Sequence, residues 1–180
     1  MEFTVRRSNR RTLAAQIRQG ALIVRAPLGA TDEDIRAFLQ KNSKWIESHL
    51  AKARQQTAAS RRLTGEEMRS LAEKAAKVIP PRVAYYAPRI GVTYGRITIR
   101  SQRSRWGSCS SKGNLNFNCL LMLAPPEVID SVVVHELCHR KEMNHSEKFY
   151  AEVLRVFPDY RAQNKWLKEN GDMLMAMRGE

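Results

Sequence analysis

The sequence is poor in cysteine and has no long apolar run, and each scarcity argues against a class of protein. Three cysteines without a Cys-x-x-Cys pair argue against a disulfide framework or a cysteine zinc cage, and they favour a reducing compartment. No apolar run approaches the roughly 20 residues that span a bilayer. The first residues also lack the apolar segment of a signal peptide. We therefore expect a cytoplasmic protein with no membrane partner.

Acidic residues are few relative to basic ones. The chain has 18 Asp+Glu and 31 Lys+Arg, a formal net charge of +13. Such a surplus favours polyanionic partners, namely nucleic acid, acidic proteins or phosphate-bearing small molecules. The alternative is a solvated basic face that keeps the protein soluble. Nucleic-acid binding through this basic surface is not expected to be the main role, because no known nucleic-acid motif is present and aromatic residues are sparse in the basic segments.

The length of 180 residues predicts a single domain that can bury a core without disulfide bonds. Residues 1–62 read as basic N-terminal strands followed by a helix. Residues 63–90 read as a helical segment, and residues 91–180 as a strand-and-helix core. No internal repeat divides the chain further.

Capping residues and apolar periodicity predict where the main elements begin. Thr31 is expected to cap a helix whose apolar stripe continues to Leu50. Thr64 and Glu67 form a capping box for a second helix, which Pro80-Pro81 should interrupt. Two strands are expected further on, at Arg96–Arg100 and Asn114–Leu123.

Three of the four histidines lie within residues 135–145. His135 and His139 are four residues apart, so on a helix they project from one face. Their nitrogens can fill two corners of a tetrahedral zinc site with bonds of about 2.0–2.1 Å, and His145, beyond the expected helix end, can fill a third. Three protein ligands plus a water are typical of catalytic zinc. We therefore expect one catalytic Zn²⁺.

Glu136 lies between the first two histidines in the sequence and is rotated about 100° around the helix from His135. It is too far round to share the metal, but it is well placed to take a proton from a zinc-bound water, as a general base does. The alternative is an exposed polar helix face. Apolar residues around the motif argue against that alternative, because burying the helix with unpaired polar groups is costly. They are Val128, Ile129, Val132, Val133, Val134 and Leu137.

The third ligand has one competitor. His145 has the offset found in the metzincin pattern H-E-x-x-H-x-x-G-x-x-H, but Glu142 stands where that pattern has its glycine. Asp159, twenty residues after His139, could supply a carboxylate oxygen instead. Because Asp159 follows Pro158, a helix-capping role is the better interpretation, and we favour His145.

The stretch from Gly91 to Pro126 contains five basic residues and no acid. Its loop could deliver Arg103 or Arg105 to a substrate oxygen and stabilise developing negative charge. The alternative is a structural role, in which these arginines tie down loop carbonyls. The predicted strand Asn114–Leu123 is the nearest candidate for aligning an extended substrate.

The segment Gln102–Ser110, together with residues 135–145, Phe149 and Pro158-Asp159-Tyr160, resembles the YgjP-like metal-dependent hydrolases. The preceding Tyr94-Gly95-Arg96-Ile97 fits as well. The resemblance is strong over residues 90–170 and looser in the N-terminal half. That family stands with the SprT-like and WLM-type zinc peptidases and with small relatives of the gluzincins. The wider spacing before the third histidine in SprT-like members means that their DNA-repair role is not expected here.

The resemblance implies an α+β fold. A small, curved, mostly antiparallel sheet should border the cleft with its edge strand, above a zincin-type active-site helix and packing helices. It also implies His135, His139 and His145 as zinc ligands and Glu136 as general base. The chain departs from gluzincins in lacking a well-placed glutamate as third ligand.

The leading hypothesis is a zinc metallopeptidase of H-E-x-x-H type, because a strand beside the motif suits an extended peptide. The first alternative is a metal-dependent hydrolase of nucleoside triphosphates or other phosphoanhydrides, since the acid-free Arg96–Lys112 stretch suits polyphosphate. The second is a nucleic-acid-associated binding protein with a vestigial metal site. The expected substrate is thus a peptide or a phosphate-bearing molecule.

Overall fold

The computed structural model describes residues 2–18, 20–59 and 61–178. The chain divides into two compact units, Met1–Arg61 and Arg62–Glu180. Each unit has apolar clusters of its own among the described residues. A single domain over the whole chain stays a prediction.

The expected α+β class is confirmed. The strands are β1 (Phe3–Ser8), β2 (Ala14–Arg18), β3 (Ala21–Pro27), β4 (Ile97–Arg100), β5 (Gly107–Cys109) and β6 (Leu115–Asn118). The helices are α1 (Asp32–Lys41), α2 (Ser43–Ala59), α3 (Gly65–Ile90), α4 (Pro126–Cys138), α5 (Glu147–Val156) and α6 (Tyr160–Ala176), with a 3₁₀ turn at Cys119–Leu123. Among the described residues, none of these helices has the length and apolarity needed to cross a bilayer.

The first unit is a three-stranded sheet with two helices. Its strand order is β1-β3-β2, with β1 parallel and β2 antiparallel to β3. Alternate residues of β3, including Leu22 and Val24, are buried, as expected for a strand with one face on the core. The single helix predicted from Thr31 to Leu50 is two helices. The break falls at Asn42, whose φ of −107° and ψ of 12° depart from helical values and whose side-chain amide donates to the carbonyl of Phe38.

The long helix α3 contradicts the predicted interruption at Pro80-Pro81. It begins at the predicted Thr64–Glu67 capping box and continues to Gly91, whose φ of 78° ends it in the left-handed region. A proline inside a helix costs about 3 kcal/mol relative to alanine. The buried stripe on one face of the helix offsets that cost. Its residues are Ala75, Ile79, Val83, Ala87 and Ile90.

The second sheet has the order β4-β6-β5, with β4 parallel and β5 antiparallel to β6. The expectation of a mostly antiparallel sheet was therefore wrong in detail, since each small sheet has one parallel pairing. The predicted strand Asn114–Leu123 pairs over only four residues. It ends because the side chain of Asn118 accepts the N–H of Leu120 and starts the 3₁₀ turn.

Helix α4 is the centre of the second unit. It starts after Pro125 with a proline in its first turn, as predicted. Most of its residues are buried, so its apolar character is explained by burial on several sides. Arg82 of α3 pairs with Asp130 of α4 and contacts the carbonyl of Pro126. The functional side chains lie at the other end of this helix.

Candidate metal centre

Three imidazoles meet where α4 ends. His135 and Glu136 lie in the last turn of α4, His139 is its C-cap residue, and His145 lies in the loop just before Ser146, which caps α5. The Nε2 atoms of His135 and His145 are 3.0 Å apart. Potential ligand atoms of all three histidines lie within 4.8 Å of one another. Two segments separated by a turn thus place three nitrogens around one point.

Phe149 packs against all three rings from one side. Its ring centroid lies 4.9 Å from that of His135, 4.6 Å from that of His139 and 4.9 Å from that of His145. The side chain is fully buried. Because Phe149 is held in the first turn of α5 by the capping of Ser146, that helix fixes the orientation of the imidazoles.

The outward nitrogens of two histidines have oxygen partners. Nδ1 of His135 lies 2.8 Å from the hydroxyl of Tyr160, and Nδ1 of His139 lies 3.0 Å from the carbonyl oxygen of Glu142. A backbone carbonyl can only accept, so the Nδ1 of His139 carries the proton. Its Nε2 then keeps a lone pair directed at the cluster. Such contacts to the second nitrogen orient metal-binding histidines and raise their basicity.

The protonation states of the histidines suit a cation. Burial lowers the pKa of His135 to about 3, and the neighbouring His139 and His145 contribute in the same direction. Burial also lowers the pKa of His139. Both rings are therefore neutral near pH 7, as metal ligation requires. Three nitrogens bound tetrahedrally to zinc at about 2.0–2.1 Å would lie about 3.4 Å apart. Here the Nε2 atoms of His135 and His145 are 3.0 Å apart, and the potential ligand atoms of all three histidines lie within 4.8 Å. The residues fit a divalent metal.

Glu136 is buried beside this cluster, with 6% of its surface exposed. Burial raises the pKa of its carboxyl to about 8, while the positive charge of Arg105 acts in the opposite direction. A bound cation nearby would also favour the ionised form. A buried carboxyl with no structural salt bridge among the described residues is typical of a functional group.

Gly107 of β5 lets the sheet approach Glu136 closely. A Cβ added at Gly107 would lie 2.6 Å from both Cγ and Oε1 of Glu136, closer than real Cβ contacts. A larger residue at this position would have to displace the side chain of Glu136. The strand beside the carboxylate is therefore the edge strand β5, and not β6, which has a neighbour on each side. The prediction that Asn114–Leu123 aligns an extended substrate was wrong, because β6 within it is paired with β4 and β5 on its two sides.

Buried Asn118 organises the loop that precedes β5. Its side-chain amide donates to the carbonyls of Gln102 and Arg105, at 2.8 and 3.0 Å. Its backbone N–H donates to the carbonyl of Trp106 at 2.8 Å. These bonds hold the loop that carries both predicted arginines. Arg105 is close enough to Glu136 to affect its pKa.

The roles predicted for the two loop arginines stay predictions. Arg103 and Arg105 are both exposed. Another arginine, Arg140, does tie down loop carbonyls: it donates to the carbonyls of Thr93 and Ser111 at 3.1 and 3.0 Å.

Asp159 is not part of the three-histidine cluster among the described residues. It occupies the N-cap position of α6 as expected, but its side chain makes no capping hydrogen bond. The fourth histidine, His49, stacks on Trp45 at 4.5 Å in the other unit. All three cysteines are free thiols, and burial raises the pKa of Cys138 to about 12, so this thiol stays neutral.

Four residues of the site had no assigned role in the sequence-based prediction. Gly107, Phe149 and Tyr160 belong to the segments that carry the family resemblance, and that position was their only signal. Asn118 gave no signal of function, because the burial of its amide is a tertiary feature.

The comparison with family models decides the family. The model described as YgjP-like, metallopeptidase domain, matches residues 11–72 and 67–170. The chain belongs to this family. It is accordingly a metal-dependent hydrolase of the metallopeptidase type, and the family implies a divalent metal.

Two solved structures are similar to the chain at low identity. The metallopeptidase zymogen abylysin of Pyrococcus abyssi is 20% identical with a TM-score of 0.46, over 51% of this chain and 93% of its own. The metallopeptidase zymogen jannalysin of Methanocaldococcus jannaschii is 22% identical with a TM-score of 0.45, over 53% of this chain and 96% of its own. No curated protein matches the sequence.

Proposed function

We propose that this YgjP-like protein is a zinc peptidase that hydrolyses extended polypeptide. His135, His139 and His145 hold the metal, and Glu136 is the general base. The observation that carries the proposal is the convergence of three imidazoles beside one buried carboxyl. Zinc suits nitrogen ligands, and when bound it lowers the pKa of a coordinated water and polarises a carbonyl oxygen.

The chain's own groups account for the remaining steps. Glu136 takes a proton from the attacking water and passes it to the leaving nitrogen, a role that contributes about 10²–10⁴-fold. The exposed guanidinium of Arg105 is the nearest candidate for stabilising negative charge that develops on the substrate oxygen. Strand β5 ends its sheet beside Glu136, so an extended peptide can add to that edge and present its carbonyl to the site.

The test uses zinc-loaded wild type and Glu136→Gln on casein, a nucleotide panel and labelled DNA. We expect cleavage of casein by wild type and a loss of at least 10²-fold in the variant, with equal zinc content by metal analysis. Phosphate or pyrophosphate release from nucleotides without proteolysis would favour the phosphoanhydride alternative. DNA affinity that falls steeply with salt concentration and is the same in wild type and Glu136→Gln, without hydrolysis of any substrate, would favour the nucleic-acid-binding alternative.

The ligand set has a separate test. Metal analysis should show that His145→Ala loses most of its zinc, whereas Asp159→Ala keeps it. Asp159→Ala is the matched control, because Asp159 lies close in the sequence but outside the cluster. Full zinc content in His145→Ala would rule out the third ligand proposed here.

We also propose that the enzyme works in the cytoplasm. Three free cysteines, two of them buried, suit a reducing compartment. The basic surface and its attraction for nucleic acid stay a prediction.

A further inference from the structure

A groove of about 600 Å³ lies between α5 and α6, and its lining includes Tyr150 and Tyr160, whose rings lie near those of His145 and His135. Pockets that take a substrate side chain or small ligand are commonly about 300–1,000 Å³. The groove has an apolar floor. The side chains of the floor are Tyr150, Ala151, Leu154 and Tyr160.

Two tyrosines connect this floor to the metal centre. The ring of Tyr160 stacks on His135 with centroids 5.9 Å apart, and its hydroxyl contacts that histidine's Nδ1. The ring of Tyr150 lies 6.2 Å from that of His145 and 6.3 Å from that of Tyr160. A single aromatic layer thus separates the groove from the cluster. Residues of an extended peptide are about 3.3 Å apart, so two residues of a substrate cover the 5.9 and 6.2 Å that separate these tyrosine rings from the rings of His135 and His145.

The rim of the groove is basic on the α6 side. Arg161 and Lys168 line it together with Asn164, since positions i, i+3 and i+7 share one helix face. Among the described residues, no ion pair within 4.0 Å involves either cation. Glu147 is the acid of the lining, so the rim keeps a surplus positive charge and is complementary to a carboxylate.

We infer that this groove selects the substrate: it binds a large apolar side chain of the polypeptide, and Arg161 and Lys168 pair with an acidic residue beside that side chain. The inference rests on the proposed peptidase function and names the substrate class for the same site. Apolar burial supplies most of the binding, because Tyr150 and Leu154 desolvate the guest side chain. The exposed side chains of Arg161 and Lys168 add a smaller preference for an acidic residue in the substrate.

The apolar part is tested with fluorogenic peptides that differ only in carrying Phe or Ala near the scissile bond. Wild type should prefer Phe by at least about 10-fold in kcat/KM. Ala151→Trp fills the groove from an exposed position and should bring the ratio close to one. Ala162→Trp, an exposed alanine on α6 outside the lining, is the matched control and should keep the preference. An unchanged ratio in Ala151→Trp would overturn the inference.

The charged part uses peptides with Glu or Lys beside the apolar residue. Arg161→Glu should reduce the Glu-over-Lys preference about fivefold or more. Lys165→Glu makes the same charge change on the same helix outside the groove and should leave the preference intact. If Arg161→Glu and Lys165→Glu lowered the Glu-over-Lys preference equally, the preference would reflect the overall charge of the protein, and the proposed pairing would be contradicted.

A binding measurement separates this inference from the proposed function. Fluorescence anisotropy of the labelled Phe-Glu peptide with zinc-loaded Glu136→Gln should show weaker binding when Ala151→Trp or Arg161→Glu is added. If wild type cleaves no peptide but this dependence is present, the peptidase proposal fails and the groove assignment stands. If peptides are cleaved but neither change affects binding or preference, the groove assignment fails alone.

Discussion

At the scale of single residues, the site depends on contacts that hold the reactive side chains in place. Phe149 contacts the three imidazole rings, and Tyr160 contacts the outward nitrogen of His135. Gly107 makes room for Glu136. None of these three neighbours is proposed to react. Their role is to reduce the number of orientations that the imidazoles and the carboxylate can adopt before metal and substrate bind.

Replacing Tyr160 with phenylalanine tests the contact to His135. The ring would still stack and fill the same space, but Nδ1 of His135 would lose its oxygen partner. We expect zinc affinity to fall about 10–100-fold, measured by competition with a chromogenic chelator. Tyr85→Phe, which removes an exposed hydroxyl on α3, should bind zinc as wild type does. Equal affinities for both variants would contradict an orienting role.

Gly107→Ala tests the close approach of β5 to the carboxyl. The new methyl group would displace Glu136, whose Cγ and Oε1 lie 2.6 Å from the added atom. A misplacement of about 1 Å can cost about 10²-fold in rate, so we expect a comparable loss in kcat with zinc retained. Gly65→Ala, where nothing lies within 4 Å of the added atom, should keep full activity. Thermal unfolding of both variants distinguishes displacement from misfolding.

At the scale of elements, the ends of α3 and α4 and the helix α5 are joined by one carboxylate. Glu152 of α5 accepts from Lys141, which follows α4, at 2.7 Å and from Arg155 at 2.6 Å. Arg155 in turn donates to the carbonyl of Arg89 near the end of α3. This network holds α5, and therefore Phe149, against the end of the metal-site helix.

Glu152→Gln should lower the free energy of unfolding by about 1–2 kcal/mol, since it removes a partly buried charged hydrogen-bond acceptor. Glu169→Gln breaks an exposed pair at 4.0 Å and should change stability by less than about 0.5 kcal/mol. Urea unfolding of both variants at pH 7 measures the difference. A similar small effect in both would mean that the network is not stabilising.

The same carboxylate gives a pH dependence. Hydrogen bonding to Arg155, followed by the contact with Lys141, lowers the pKa of Glu152 from 4.5 to about 2. A depressed folded-state pKa means that the stabilisation is fully present above about pH 4.5 and is lost as the pH falls towards 2. The stability difference between wild type and Glu152→Gln should therefore shrink over this window. A difference that stays constant down to pH 2.5 would contradict the assignment.

At the scale of the whole molecule, the residues of the candidate metal centre all belong to one of the two compact units. The candidate metal centre lies entirely within Arg62–Glu180, whereas the first unit, Met1–Arg61, carries the fourth histidine. The three ligands come from the end of α4 and the loop that leads to α5. A cation bound there would therefore hold the end of α4 to the loop that follows it.

Metal binding should raise the melting temperature. A ligand that binds only the folded state at 100 times its Kd stabilises it by about 2.7 kcal/mol, equivalent to about 5–15 °C for a unit of this size. Differential scanning fluorimetry with zinc or with EDTA measures the shift. His139→Ala should lose it, whereas His49→Ala should keep it. A shift that survives in His139→Ala would place the zinc elsewhere.

Local patterns predicted much of this protein from the sequence alone. The N-cap at Thr31, the capping box at Thr64, the apolar helix α4 and the spacing of His135, Glu136 and His139 depend on neighbours within a few residues, so they can be read without a fold. Tertiary structure decided the rest. Burial of one face stabilised α3 through Pro80-Pro81, and strand order made β5 the edge. Packing brought Phe149 and Tyr160 to the histidines and Gly107 to Glu136, because contacts between distant segments leave no periodic trace in the sequence.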